Sequence, residues 1–281
     1  MAVEKQEMVT KSNRLVEASY RLTLVEQQLV LYAICRSREE QRGLSANEPV
    51  TIDARAFAEQ FCVDVANVYR QLKEASDSLY ERRVVIHDIH PKTQKPRTVK
   101  TRWVSDVAYI DGAGLVEITF APKMIPFITR LEAEFTSYRL EKIGHMTSVH
   151  AVRLYELLVQ YASVGMREME LAWLKEKLGI TGEYKAIKDF KKRVLDVALA
   201  QINEHSDIVV SHVQRKTGRT VTHLIFDIKN KSEMASRKLA KKVKRPAVDD
   251  AYVKKHARPG ESTYQAWQRL LEEAGQGRLV A

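Results

Sequence analysis

Tyr69, Leu72, Ala75 and Leu79 recur as Tyr184, Ile187, Phe190 and Val194, an offset of 115 residues. Around each set the chain reads in one order: a short strand, a short helix, a long helix, then two strands joined by a polar turn. That order is a helix-turn-helix with a hairpin beside it, whose second helix is shaped to enter a major groove. A chain of 281 residues is long enough to bury two such cores. The expected fold is α+β: two tandem winged-helix domains with a basic C-terminal tail. The expected boundaries are 1–132 for the first domain, 133–230 for the second, and 231–281 for a basic flexible tail ending in a short helix.

Local signals place the elements. Thr23 and Glu26 have capping-box spacing before LVEQQLVLYAICR, so a helix starts there. Leu15, Leu22 and Leu29 are seven apart, but they span too few heptads for a coiled coil, and a core-facing helix is expected instead. A strand is expected at Val50–Ile52, a helix at Ala54–Phe61, and a helix capped by Asp64 running to about Arg82. RRVVIHDIH and TVKTRWVSDVAYI read as two strands around the proline-flanked turn Pro91–Pro96. LVEITF is a further strand, and Pro122 opens a helix to about Arg130. In the second half, helices are expected at Ser148–Ser163, ended by Gly165, and at Leu171–Leu178, closed by Gly179, with a short strand at 169–171 before the latter. Thr181 caps the longest helix, about Gly182–Asn203. Two strands come next, around Lys216-Thr217-Gly218. Ser262 and Gln265 form a capping box for the tail helix, which runs to about Ala274.

Charge narrows the partner. The net charge is +10, and residues 231–281 hold 12 Lys+Arg against 6 Asp+Glu. Ser236–Arg245 carries six basic residues and no acid. Such a run suits a polyanion, the alternative being a solvated basic tail with no specific partner. No window is apolar enough for a membrane span, and the acid-bearing N-terminus does not read as a secretory signal. The two cysteines, Cys35 and Cys62, cannot make a disulfide framework; both are expected as buried free thiols in a reducing cytoplasm.

The helix at 182–203 is the most informative element. On a helical wheel Ile187, Phe190, Val194, Val197 and Ala198 form one apolar stripe. Lys185, Lys188 and Lys192 lie within about 60° of one another on the opposite side, flanked by Lys191 and Arg193. A helix buried on one side and basic on the other suits insertion between phosphate strands. An ordinary solvated face balanced by Glu183, Asp189 and Asp196 is the alternative. The hairpin turn after it favours the first reading, because it carries Arg215, Lys216 and Arg219 around a glycine. The first half has a hairpin with Lys92, Lys95, Arg97, Lys100 and Arg102, read as the corresponding wing. Its long helix is less basic, with Arg70, Lys73 and Arg82 against Glu74, Asp77 and Glu81. The second domain is therefore expected to read sequence. The first is expected to hold backbone or another protein.

Enzymatic constellations are poor. The chain has no G-x-x-x-x-G-K-[ST] loop and no G-x-G-x-x-G. A strand would send His87 and His90 to opposite faces, and the carboxylates are dispersed. His145 and His150 flank a helix start, as surface or cap residues. Trp103, Trp173 and Trp267 are expected as core or interface anchors. No catalytic residue, metal ligand or cofactor is expected, and the chain is not expected to be an enzyme.

Four stretches carry a resemblance. VTKSNRLVEASYRLTLVEQQLVLYAI (9–34) and FTSYRLEKIGHMTSVHAVRLYELL (135–158) resemble the openings of the two domains of the iteron-binding plasmid replication initiators. YKAIKDFKKRVLDVALAQIN (184–203) looks like that family's recognition-helix segment, and RPGESTYQAWQRL (258–270) resembles a tail found in some members. The resemblance implies a bacterial cytoplasmic protein that binds direct repeats at a double-stranded origin through its second domain. It places Lys185, Lys188, Lys191, Lys192 and Arg193 at the DNA. The first domain would then supply dimerisation and backbone contacts. It further implies monomers that start replication, dimers that repress the protein's own gene or limit copy number, and a host initiator and replicative helicase as partners. The residues alone leave a winged-helix transcriptional repressor open, and, less well supported, an origin-nicking enzyme.

Overall fold

The computed structural model describes residues 7–43, 45, 47–90, 92–129, 134–234, 236 and 250–275. The first half runs β1 (Met8–Ser12), α1 (Asn13–Val16), β2 (Ser19–Tyr20), α2 (Leu24–Glu40), β3 (Val50–Asp53), α3 (Ala54–Phe61) and α4 (Val65–Leu79). It continues through β4 (Arg83–Ile89), β5 (Pro96–Arg102), β6 (Val104–Ile110), β7 (Leu115–Phe120) and α5 (Ile125–Ile128). The second half runs β8 (Phe135–Arg139), α6 (Glu141–Gly144), α7 (Val149–Val159), β9 (Met166–Glu170) and α8 (Leu171–Lys177). Then come α9 (Ile187–Phe190), a π-helical turn (Lys191–Leu195), α10 (Asp196–His205), β10 (Ile208–Thr217) and β11 (Thr220–Asn230).

Short-range chemistry fixes most helix starts. The Thr23 hydroxyl accepts from the Glu26 N–H, and the Glu26 carboxylate accepts from the Thr23 N–H at 2.7 Å. Those bonds satisfy two orphan donors at the head of α2. The side chains of Asp53, Asp64 and Ser148 accept from backbone N–H groups at the heads of α3, α4 and α7, without the reciprocal bond. α2 is buried from Leu29 through Cys35 and forms the centre of the first core. Several ends differ from expectation. α4 stops at Leu79, α7 at Val159 and α5 is a single turn, while β9 starts earlier, at Met166.

Sheet pairing shows which hairpin is the wing in each half. In the second half β9 pairs with β11, the second strand of the β10–β11 hairpin, which is therefore central in its sheet. In the first half β3 pairs in the same way with β7. The wing there is the β6–β7 hairpin, whose turn, Asp111–Gly114, has no basic residue. The basic hairpin β4–β5 is therefore an addition, lying in a separate sheet with β2. This corrects the expected correspondence for Lys92, Lys95, Arg97, Lys100 and Arg102. Sequence order alone made the nearest hairpin look equivalent; only the partner of β3 reveals the difference.

The stretch 98–110, expected as one strand, is two. The break falls at Trp103, which is fully buried and packs edge-to-face on Tyr20, ring centroids 4.9 Å apart. Bringing that indole inward turns the chain from the β2–β4–β5 sheet into the β3–β7–β6 sheet.

The two halves are stitched together. β1 pairs antiparallel with β8, from Met8 opposite Arg139 to Ser12 opposite Phe135. The N-terminal strand thus completes the start of the second half. The expected boundary at 132/133 lies outside the described residues.

Residues Met1–Asn230 form one compact unit and Lys231–Ala281 another. Residues 231–234 and 236 are helical, and where one tail helix was expected, two more follow, Asp250–His256 and Thr263–Gly275. Val253, Ala266 and Leu270 are buried between them, with Tyr252 and Trp267 packed alongside. Trp267 is thus an anchor of this small core. Gln265 and Ser262 form the expected cap, and Arg269 reaches Glu261 at 2.8 Å. Most of the basic run Ser236–Arg245 lies outside the described residues.

Candidate nucleic-acid interface

The second winged helix sets out its basic groups in three places. The first is the approach to the long helix. Gly179, Gly182 and Tyr184 all have positive φ there, +72°, +80° and +50°. A left-handed residue cannot continue a right-handed helix, so the helix begins at Ile187, with Ala186 as an N-cap that makes no side-chain bond. Thr181 is not its cap, and Lys185 stands in the approach loop, two residues before the helix. This corrects the expected start at Gly182.

The second place is the helix itself. Phe190, Val194, Leu195, Ala198 and Ile202 are buried at close to four-residue spacing. In a regular α-helix such a stripe would drift by about 40° at each step. The π-helical turn Lys191–Leu195 holds more residues and takes up part of the drift. It also re-phases the remainder of the helix: Val197, expected in the apolar stripe, is 41% exposed. Lys188, Lys192 and Arg193 are exposed and Lys191 is half-buried. Among the described residues no carboxylate forms an ion pair with Lys185, Lys188, Lys191, Lys192 or Arg193. His212 of β10 lies within the field of the Lys191 charge. Burial first, and then the Lys191 charge, hold that imidazole below its ordinary pKa.

The third place is the wing. Gly218 turns it at φ +62°, and Lys216 and Arg219 on either side are exposed. Arg215 is partly engaged, its guanidinium lying 2.8 Å from Glu168 of β9. That partner is 47 residues away in sequence, and no local pattern announces it.

The first winged helix is different. Lys73 of α4 pairs with Asp111 at 3.1 Å, and Arg82 with Glu26 at 2.9 Å. On the added hairpin, Arg97 makes a two-pronged contact with Asp88 at 2.6 and 2.8 Å, and Arg102 reaches Glu81 at 3.2 Å. Lys92, Lys95 and Lys100 are exposed, with no ion pair among the described residues. Lys73, Arg82, Arg97 and Arg102 are thus each engaged with a carboxylate, whereas among the described residues no basic group of the recognition helix is.

Two further groups were not legible from sequence. Lys175 of α8 donates to the carbonyl oxygens of Tyr184 and Glu183 at 2.8 and 3.3 Å. Arg153 and Glu156 of α7 sit at the seam of the halves. Arg153 donates to the carbonyls of Val16 and Ala18, both at 3.1 Å, and of Lys177 at 3.3 Å. Glu156 accepts from the Tyr138 hydroxyl at 2.7 Å and pairs with Lys11 of β1.

His87 and His90 are used within the added hairpin, meeting Thr98 Oγ1 and the Thr93 N–H, each at 3.2 Å. His145 is exposed and His150 half-buried. Trp103 is core, and Trp173 packs against it half-buried, near the Arg167 guanidinium. Cys35 is buried, whereas Cys62, expected buried, is exposed. It caps the end of α3 at φ +52°, where the chain leaves the core. Among the described residues no group of three or more His, Cys, Asp or Glu is arranged to hold a metal ion. Among the same residues, no helix is long and apolar enough to cross a membrane.

Two winged helices in tandem, one with an uncompensated basic recognition face, define a DNA-binding protein of the winged-helix class. Residues 8–159 match the WH1 model of the initiator replication proteins, and residues 170–228 match the WH2 model of the same group. The chain belongs to this initiator replication protein family. The first match runs past residue 132 and takes in α7. The crystal structure of Pi initiator protein in complex with iteron DNA has the same fold. Its TM-score is 0.63 at 19% identity, covering 80% of this chain and 98% of that one. An uncharacterized 27.6 kDa protein of Escherichia coli is 24% identical over 232 residues, 79% of this chain and 96% of its own. The WH1 domain of MSBI1.176, a replication protein isolated from a multiple sclerosis patient, is 40% identical. It covers 42% of this chain and 88% of its own length, with a TM-score of 0.35.

Proposed function

We propose that this chain initiates replication of a plasmid by binding direct repeats at its origin. In this reading the second winged helix reads the repeats. Lys185, Lys188, Lys191, Lys192 and Arg193 face the groove, and Lys216 and Arg219 lie along the flanking backbone. Arg215 joins them if phosphate displaces Glu168. The observation that carries the reading is the asymmetry of charge pairing: among the described residues no basic group of the second recognition helix has a carboxylate partner, whereas Lys73 and Arg82 in the first half are paired with Asp111 and Glu26. Family membership and the fold shared with a protein solved on iteron DNA support it.

The remaining parts of the proposal are coarser. The first domain, with Lys92, Lys95 and Lys100 free, holds DNA backbone or forms a homodimer in equilibrium with monomer. The monomer binds the repeats and strains an adjacent AT-rich segment toward opening, with a host initiator and the replicative helicase as partners. The dimer represses the protein's own gene. Chemistry on the DNA is left to other proteins, and the site of action is the bacterial cytoplasm.

The test is binding to a duplex bearing the direct repeats beside the protein's own gene, against a scrambled duplex, across a salt series. Preference for the repeats is expected, with log K falling by about 0.9 per phosphate contact for each tenfold rise in salt. Equal binding to both duplexes, lost together as salt rises, overturns the reading.

A further inference from the structure

The recognition helix is aimed by a residue outside its own basic face. Tyr184 holds φ +50°, a conformation disfavoured for any residue with a side chain, so its surroundings must hold it there. The helix after it has no side-chain cap to fix its entry. Two side chains reach this segment: Arg21, whose guanidinium lies 3.3 Å from the exposed Glu183 carboxylate, and, on the backbone itself, Lys175, from the preceding helix of the helix-turn-helix. Its ammonium donates to the Tyr184 carbonyl at 2.8 Å and the Glu183 carbonyl at 3.3 Å. It also lies 5.4 Å from the ring centroid of Phe190, the buried anchor in the first turn of the recognition helix. One three-donor head thus ties two successive loop carbonyls to the helix they introduce. Lys185 is the next residue, and Lys188 lies one turn further along.

We propose that Lys175 is a positioning residue for DNA binding. It fixes residues 183–186 and thereby the aim of Lys185 and of the first turn carrying Lys188. This rests on the DNA-reading role proposed above. The Glu183 bond is exposed, so water can replace it there, and loss of the clamp is expected to cost order in the loop before it costs the fold.

Lys175→Met keeps the apolar stem and removes the donors. Affinity for the repeat duplex is expected to fall about tenfold, with a smaller change on the scrambled duplex. In a background with Lys185→Ala and Lys188→Ala together the same substitution is expected to have little further effect, because the residues it acts through are gone. Equal factors in both backgrounds overturn the proposal. Lys175→Arg, which keeps the cation and its donors, is expected to restore most of the affinity; a variant as weak as Lys175→Met counts against the clamp. Amide hydrogen exchange on the free protein supplies a readout without DNA. Faster exchange confined to residues 183–190 is expected, and unchanged exchange there overturns the proposal whatever the DNA result. A Lys175→Met chain that loses its cooperative thermal transition makes Lys175 a fold residue and overturns it too. If the unaltered protein shows no preference for the repeats, the DNA reading fails, and exchange still decides the role of Lys175.

Discussion

Arg153 and Glu156, one helical turn apart on α7, form an ion pair of 3.0 Å with both side chains buried. Around them lie Lys11 of β1, Tyr20 of β2, Gln27 of α2 and Tyr138 of β8. Burial alone would raise the Glu156 pKa, but the charges of Lys11 and Arg153 outweigh it and hold the carboxyl below its usual range. The pair therefore bonds the N-terminal strands of the first half to the opening helix of the second. Removing Glu156 leaves the Lys11 and Arg153 cations in a dry seam.

Glu156→Ala is expected to destabilise the protein by about 3–5 kcal/mol, the range for breaking a buried pair from one side. Equilibrium denaturation of the full chain near neutral pH measures it. A loss no larger than that of an exposed ion pair would mean that the seam relaxes and admits water.

Joint replacement of Lys188 and Lys192 by alanine is expected to weaken repeat-duplex binding. If both meet phosphate, the salt slope shrinks by about 1.8. Lys73→Ala is the control: its ammonium is already engaged with Asp111, so a much smaller change is expected. Binding unchanged in the double variant would remove the recognition-helix assignment.

Acid is expected to destabilise the fold before the carboxylates titrate. His150 and His212 are both held below their ordinary pKa, in each case first by burial. The unfolded chain therefore binds protons at these sites that the folded chain refuses. Their contribution is complete above about pH 6.5 and declines as pH falls below that value. Glu156, also depressed, adds its loss at lower pH, as the carboxyl protonates. Melting temperature monitored from about pH 7.5 to about pH 5 should fall steadily; a flat profile would show that neither imidazole is desolvated.

The two thiols should separate cleanly. Cys62 is exposed, while Cys35 is buried and its thiol is pushed well up by burial. A thiolate-directed reagent is expected to label one cysteine in the native protein and both in denaturant. Peptide mapping identifies the first; rapid labelling of Cys35 would mean that α2 opens.

Features set within a few residues were legible in the sequence. The Thr23–Glu26 box, the Asp64 cap, the helix opening at Ser148 and the helix Ala54–Phe61 rest on contacts spanning two to four positions. The recurrence of Tyr69–Leu79 at Tyr184–Val194 established two winged helices, because a buried stripe must repeat at the helical period wherever it is built. The basic character of the second recognition helix was equally plain.

Tertiary structure alone decided which charges remain available and where they point. Arg97 and Arg102 read as backbone contacts until Asp88 and Glu81 are brought beside them, and Lys73 meets Asp111, 38 residues away, rather than an acid of its own helix. The β4–β5 hairpin looked like a wing until β3 chose β7 as its partner. Lys185 and Val197 left their expected places because Gly182 and Tyr184 delay the helix and a π-helical turn re-phases it. Periodicity assigns a residue to a face within one element. The element's start, its phase and the neutralising partner of each charge depend on groups tens to more than a hundred residues away, which only the packed chain brings into reach.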